Sequence, residues 1–148
     1  MSDRGWLYNG TVPPISFPSD EMREETERAR PQEIRTAERL RKHGIVPAFQ
    51  VDYKTVKDEN GIEQRIGLSD WAGGIEIKTP QSADKFRTVD SYIGNASKKH
   101  DCTRLIIDNS ENPNMSDEQL AEFILKSQRF KDGIVYIFNE ESGLQRIR

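Results

Sequence analysis

Hydrophobic residues recur along this chain with two periods, the 3.6-residue period of helices and the two-residue period of strands. Apolar and polar residues alternate from 46 to 56, which predicts a half-buried strand, and Asn60-Gly61 predicts a hairpin turn into a returning strand. Alternation resumes in Ile75-Glu76-Ile77-Lys78, so the two isoleucines share one face of a strand and the two charged residues share the other.

Two helices are predicted before the hairpin. Ser19 precedes an acidic first turn, the usual start of a helix, and Pro31 interrupts the helix and restarts it. In the restarted helix, predicted over 31–43, Glu33 falls on the apolar stripe, whereas Glu38 lies well round the other side. A carboxylate on that stripe needs a partner, such as a cation. The alternative is that Glu33 only interacts with the helix dipole.

Helices and strands alternate after the charged strand. The pattern predicts a helix over 84–99, an apolar strand over 104–108, a helix that starts with the capping box of Ser116, and a strand over 133–138. From the helix at Pro31 the order is α-β-β-β-α-β-α-β, an α/β (α+β) class with helices on a mixed sheet. The proline-rich segment 1–18 is predicted to be an extended arm, and 19–148 a single domain.

Composition limits the possible functions. Apolar residues make up 34% of the 148 and charged residues 32%, and no apolar run approaches the roughly 20 residues of a membrane span. No secretory signal is visible at the start. The sole cysteine, Cys102, excludes an intrachain disulfide and is expected to be a small buried residue. With a net charge of −3, a nucleic-acid enzyme would need a local basic patch or a metal ion to neutralise phosphate.

The candidate chemistry lies around the charged strand. Asp70 precedes the strand, and the Gly73-Gly74 pair can turn the chain so that Asp70 comes beside Glu76. Two carboxylates and Lys78, fixed on a sheet, suit a hard divalent cation and a negatively charged scissile group. The alternative is that Glu76 and Lys78 belong to a solvated cross-strand ion pair.

These residues carry a family resemblance. Asp70, five residues and then Glu76-Ile77-Lys78 resemble the core motif of the PD-(D/E)XK nuclease superfamily. The longer run to Thr79-Pro80 is similar to the C-terminal tRNase toxin domains of contact-dependent growth inhibition proteins. Those domains begin with a helix whose pattern is matched here by Glu33, Ala37, Leu40 and Gly44. The resemblance extends over about residues 31–140.

The resemblance implies a PD-(D/E)XK-like mixed central sheet flanked by helices, and a toxin-type nuclease that cleaves RNA, with tRNA the expected substrate. It implies that Asp70 and Glu76 hold Mg²⁺ or Mn²⁺, that Glu33 and Lys78 complete the catalytic set, and that Lys99 belongs to the site. The expected partner is a cognate immunity protein. The expected site of action is the cytoplasm, reached by delivery of the chain as the C-terminal part of a larger bacterial toxin.

Cations near the motif complete the predicted site. Lys98, Lys99 and Arg87 are the candidates for binding phosphate. For the two lysines the alternative is that they compensate the negative end of the helix dipole.

Two other functions stay open from the sequence. In a metal-independent toxin RNase, Glu76, Lys78 and Lys99 would act by acid–base chemistry, because RNA supplies its own 2′-OH nucleophile. In the other, the chain is a non-catalytic binding module, such as an immunity or phage accessory protein. An active site requires the acidic residues and Lys78 to cluster, and a binding module does not.

Overall fold

The computed structural model describes residues 13–148, so the first twelve residues of the predicted arm lie outside the described part. The chain forms two compact units that meet in sequence between Ala72 and Gly73, and each is described by itself. The elements of the first unit are α1 (Asp20–Ala29), α2 (Pro31–Lys42), β1 (Phe49–Lys57) and β2 (Glu63–Trp71). Those of the second are β3 (Ile75–Lys78), α3 (Phe86–Lys98), β4 (Arg104–Asp108), α4 (Asp117–Lys126), β5 (Ile134–Asn139) and β6 (Gly143–Arg146).

The two helices of the first unit start and end where the sequence predicts. The Ser19 hydroxyl accepts a hydrogen bond from the Met22 N–H at 3.2 Å and caps α1. Pro31 occupies the first turn of α2, where its missing N–H costs nothing. After α2, Gly44 adopts a φ of +78°, and the Ile45 N–H turns back to the Leu40 carbonyl at 3.0 Å.

The hairpin is a two-stranded antiparallel sheet. Phe49 pairs with Trp71 at its open end. At the turn, the Asp58 carboxylate accepts hydrogen bonds from the backbone N–H groups of Asn60 and Ile62, both at 2.9 Å. The Phe49 ring stacks on Phe17 and on Trp71, with centroids 4.6 and 4.4 Å away. This aromatic stack helps to fix the base of the hairpin because it buries large apolar area.

The second unit is built on a four-stranded sheet of order β3-β4-β5-β6. The first three strands are parallel, and β6 is antiparallel to β5. Because parallel neighbours need a crossover, α3 connects β3 to β4 and α4 connects β4 to β5. The core between these helices and the sheet contains Val89, Ile93, Ala96, Leu105, Ile107, Met115, Leu120, Ile124, Val135 and Ile137.

A polar network fastens α3 to the segment after α4. The Asp90 carboxylate accepts from the Ser127 hydroxyl at 2.7 Å and from Arg129 Nε at 3.0 Å. Ser127 is only 3% exposed, so its hydroxyl needs such a partner. One carboxylate of α3 therefore satisfies two donors of the α4–β5 connection.

The predicted α/β class is confirmed, and the predicted order of elements holds from α2 to β5. One central sheet was expected. The two hairpin strands instead pair with each other and form a separate two-stranded sheet. A short strand, β6, follows the last predicted one. Among residues 13–148, none of the helices is long and apolar enough to cross a membrane. The predicted boundaries of the arm and of a single domain over 19–148 stay predictions.

Candidate active site

Strand β3 lies at one edge of the four-stranded sheet and presents the charged pair. Ile75 and Ile77 are buried, at 8% and 3% exposure, while Glu76 and Lys78 are partly buried on the other face. The alternation of apolar and charged residues places the isoleucines on the buried face of the strand. It leaves Glu76 and Lys78 on the opposite face, two residues apart. The two faces predicted from the sequence for this strand are the ones observed.

Lys99 joins this face from the end of α3. The helix ends at Lys98, and Lys99 is its C-cap. Its ammonium nitrogen lies 3.4 Å from Glu76 Oε2, and the two side chains are only 18% and 15% exposed. The other oxygen, Glu76 Oε1, accepts a hydrogen bond from the Ile77 N–H at 3.2 Å. A carboxylate and an ammonium from separate elements thus meet in a partly buried position, where their interaction is stronger than at an open surface.

The turn between α3 and β4 is tied to the start of β3. The Gly74 carbonyl accepts hydrogen bonds from the N–H groups of Thr103 at 2.8 Å and Arg104 at 3.2 Å. Sequence reasoning missed this contact, because it assigned the glycine pair to a turn that would carry Asp70 towards Glu76. Two consecutive glycines indicate a positive φ, but the local sequence does not show which segment packs against them.

Cys102 lies in the same turn and is half-buried. Its Sγ is 3.4 Å from the Arg104 carbonyl, to which the thiol donates. Burial raises the pKa of the Cys102 thiol, and the opposing influences are that hydrogen bond and the charge of Lys99. The thiol is therefore protonated at neutral pH, so it is not an activated nucleophile.

The other predicted phosphate-binding residues are more dispersed. Arg87 is exposed in the first turn of α3, and Lys98 is exposed in its last turn. The two residues are eleven positions apart on the helix, or about 16 Å along the axis at the usual helical rise. The structure therefore brings Lys99 to Glu76 but does not gather Arg87 and Lys98 into one cluster.

Glu33 and Asp70 belong to the first unit. Glu33 is partly buried and forms an ion pair with Arg30 at 3.4 Å, whereas Glu38 is exposed, as the helical spacing predicted. Asp70 is partly buried in β2 and pairs in register with Gln50. Their predicted catalytic roles stay predictions.

Within residues 13–148, no group of three or more His, Cys, Asp or Glu side chains is arranged to hold a metal ion. Mg²⁺ is often held by only one or two carboxylates, with waters and phosphate oxygens completing its shell. The carboxylate of Glu76 has the hard oxygen chemistry that this ion prefers. That Asp70 and Glu76 hold a metal ion stays a prediction.

No protein-family model matches this chain, and no curated protein sequence matches it. Among solved structures, it is similar to a chain of the "CdiA-CT/CdiI toxin and immunity complex from Burkholderia pseudomallei", with a TM-score of 0.51 and 15% sequence identity. The similarity covers 96% of both chains. Such low identity is evidence of a common fold only, so this chain shares its fold with a component of a toxin–immunity complex.

Proposed function

We propose that this chain is a toxin-type nuclease that cleaves phosphodiester bonds of RNA, with tRNA as its substrate. The observation that carries the proposal is the contact of 3.4 Å between Lys99 and Glu76, on the face of β3 that also presents Lys78. A carboxylate can move a proton, and two ammonium groups can bind phosphate, so this face holds the groups that RNA cleavage needs. The toxin role is supported by the fold shared with a component of a toxin–immunity complex.

Each side chain has a separate task in this mechanism. Lys99 binds a non-bridging oxygen of the scissile phosphate, and Lys78 stabilises the negative charge that develops on the phosphate in the transition state. Glu76 accepts the proton of the attacking hydroxyl or water. Its Oε1 keeps the Ile77 N–H as a donor, which fixes the orientation of the carboxylate during the reaction. A bound Mg²⁺ would add Lewis-acid stabilisation of the phosphate and a more acidic water.

A metal-independent RNase is the second candidate, and the pairing of Glu76 with an ammonium favours it. In that reaction the 2′-oxygen of the substrate attacks the adjacent phosphorus while its proton passes to Glu76. The bond from phosphorus to the 5′-oxygen breaks, and the departing oxygen takes a proton from Lys99. The products are a 2′,3′-cyclic phosphate end and a 5′-hydroxyl end.

The first experiment expresses the chain in a bacterial host and follows growth and tRNA integrity. We expect growth arrest with cleaved tRNA, and relief by co-expression of a cognate immunity protein. Glu76→Gln should abolish both the growth arrest and the tRNA cleavage. Glu122→Gln, at an exposed position on α4, should abolish neither. Unhindered growth with soluble protein and intact tRNA would overturn the proposal and favour a binding module, such as an immunity protein.

The second experiment separates the two mechanisms on purified protein. Cleavage that stops in chelator and returns with Mg²⁺ supports the metal mechanism. Full activity in chelator, with cyclic phosphate ends on the products, supports the acid–base mechanism of Glu76 and Lys99. Asp70→Ala tests the other proposed metal ligand. Because only the metal mechanism needs the Asp70 carboxylate, this variant should lose cleavage under that mechanism and keep it under the acid–base mechanism.

A further inference from the structure

The contact between Lys99 and Glu76 depends on how the turn from 99 to 104 is held. Its end is fixed by the Gly74 carbonyl, which accepts from Thr103 at 2.8 Å and from Arg104 at 3.2 Å. Its start follows the helix end, where the Lys99 N–H donates to Ala96 at 3.2 Å. Between these points, the Cys102 N–H donates to the Lys99 carbonyl at 3.3 Å. Lys99 is therefore connected through one short turn to a residue two positions before Glu76.

Gly74 allows this turn to approach because it has no side chain. A Cβ at this position would lie 2.8 Å from the Asp101 carbonyl oxygen and 3.4 Å from the Thr103 hydroxyl. The first distance is shorter than real Cβ contacts, and the atom that would have to yield is backbone, not the end of a flexible side chain. A side chain at 74 would thus push the turn away from β3.

Gly73 offers a matched comparison. Both glycines have a positive φ, +79° for Gly73 and +74° for Gly74, so an alanine is strained by its backbone at either position. A Cβ at Gly73, however, would meet nothing within 4 Å. The two positions differ in the contact with the turn and resemble each other in backbone strain.

We infer that Gly74 is a positioning residue: its missing side chain lets the α3–β4 turn rest on the start of β3 and so sets Lys99 against Glu76. The inference rests on the proposed function as far as activity is concerned. It also has a readout that does not need activity, since Cys102 lies in the turn and is the sole cysteine of the chain. The rate at which a thiol reagent such as DTNB modifies Cys102 reports whether the turn has opened.

The experiment compares Gly74→Ala with Gly73→Ala in the full chain. We expect Gly74→Ala to react with DTNB at least about fivefold faster than wild type, because burial of the thiol is lost, while Gly73→Ala stays within about twofold. Cleavage by Gly74→Ala should fall about 100-fold in kcat, as expected when a catalytic group is displaced by about 1 Å. Equal thiol rates in both variants and in wild type would overturn the inference, whether or not the chain is a nuclease.

A double-mutant cycle tests whether Gly74 acts through Lys99. In a Lys99→Ala background, Gly74→Ala should lower activity by less than about twofold, because the group that it displaces is already gone. If the two losses multiply in full, Gly74 acts by another route and the inference fails. A wild-type protein without nuclease activity would instead overturn the proposed function, and the thiol rates would still decide whether Gly74 holds the turn.

Asp101 keeps the inference testable if Gly74→Ala does not fold. Its φ of +59° suits Asp or Asn, but a β-branched residue is strongly disfavoured there. Asp101→Val should therefore disturb the same turn from its other side, with faster thiol modification and lower activity, while Asp101→Asn should change neither. An opened turn with full activity in Asp101→Val would show that the turn does not position Lys99.

Discussion

Replacing Glu76 with glutamine tests whether the ion pair with Lys99 serves chemistry or stability. The substitution keeps the size of the side chain and removes its charge. At 3.4 Å and an effective dielectric constant near 20, the attraction between the two unit charges is about 5 kcal/mol. The desolvation of both groups opposes most of this, so we expect a net loss of about 1–2 kcal/mol in the free energy of unfolding.

The expected effect on activity is larger. A general base contributes about 100-fold to 10,000-fold in rate, and the lower figure alone corresponds to about 2.7 kcal/mol of barrier. A domain with a stability of about 5–15 kcal/mol stays folded after losing 1–2 kcal/mol, so unfolding cannot account for a loss of activity on this scale. Glu76→Gln should thus be a folded protein with little or no cleavage.

The assay measures single-turnover cleavage of tRNA on gels and thermal unfolding of the same samples. The melting temperature of Glu76→Gln should fall by about 2–8 °C, and that of the exposed control Glu122→Gln should not change. Retention of more than half of the wild-type rate by folded Glu76→Gln would refute the role of Glu76. A loss of activity equal in both variants would show that the assay does not report this site.

Three further predictions concern other parts of the chain. Glu33→Gln should lower cleavage about tenfold and Glu38→Gln hardly at all, since only Glu33 is partly buried; equal rates in a tRNA assay would contradict the predicted role of Glu33. Asp90→Ala should lower the free energy of unfolding by about 1–3 kcal/mol in denaturant titrations, because two donors of the α4–β5 connection lose their acceptor; an unchanged midpoint would show that water replaces the carboxylate. The raised pKa of Cys102 means that the folded state binds the thiol proton more tightly than the unfolded state does. The resulting contribution to the free energy of unfolding is full below the ordinary thiol pKa of about 8.5 and is lost as pH rises through the folded pKa. Wild type should therefore lose more stability than Cys102→Ser as the pH rises above the ordinary thiol pKa, and parallel curves of stability against pH would contradict the assignment.

Local signals predicted most of the fold. The capping residues Ser19 and Ser116, the αL glycine at 44 and the Asn60-Gly61 turn act through neighbours within a few residues, so a sequence contains the whole interaction. Strict alternation likewise gave the faces of β3. These parts were predictable because their physical causes are local.

Contacts between distant segments were less predictable. The alternation in the hairpin indicates which residues share a face, but it does not name the strand that pairs with them, and the hairpin formed a sheet of its own. The site shows the same limit. Glu76 and Lys78 were predicted from their spacing. The approach of the α3–β4 turn to Gly74 depends instead on packing between residues that are distant in sequence.

The two sheets should form at very different speeds. In the hairpin, strands joined by a short turn find each other locally, and such hairpins form in about 1–10 μs. In the second unit, Ile75 must pair with Arg104 across the whole of α3, and Arg104 with Ile134 across the whole of α4. Closing these long loops costs conformational entropy before the parallel strand contacts form and offset that cost, so folding is slow. The face that carries Glu76 and Lys99 is therefore completed late, only after the α3 crossover has closed.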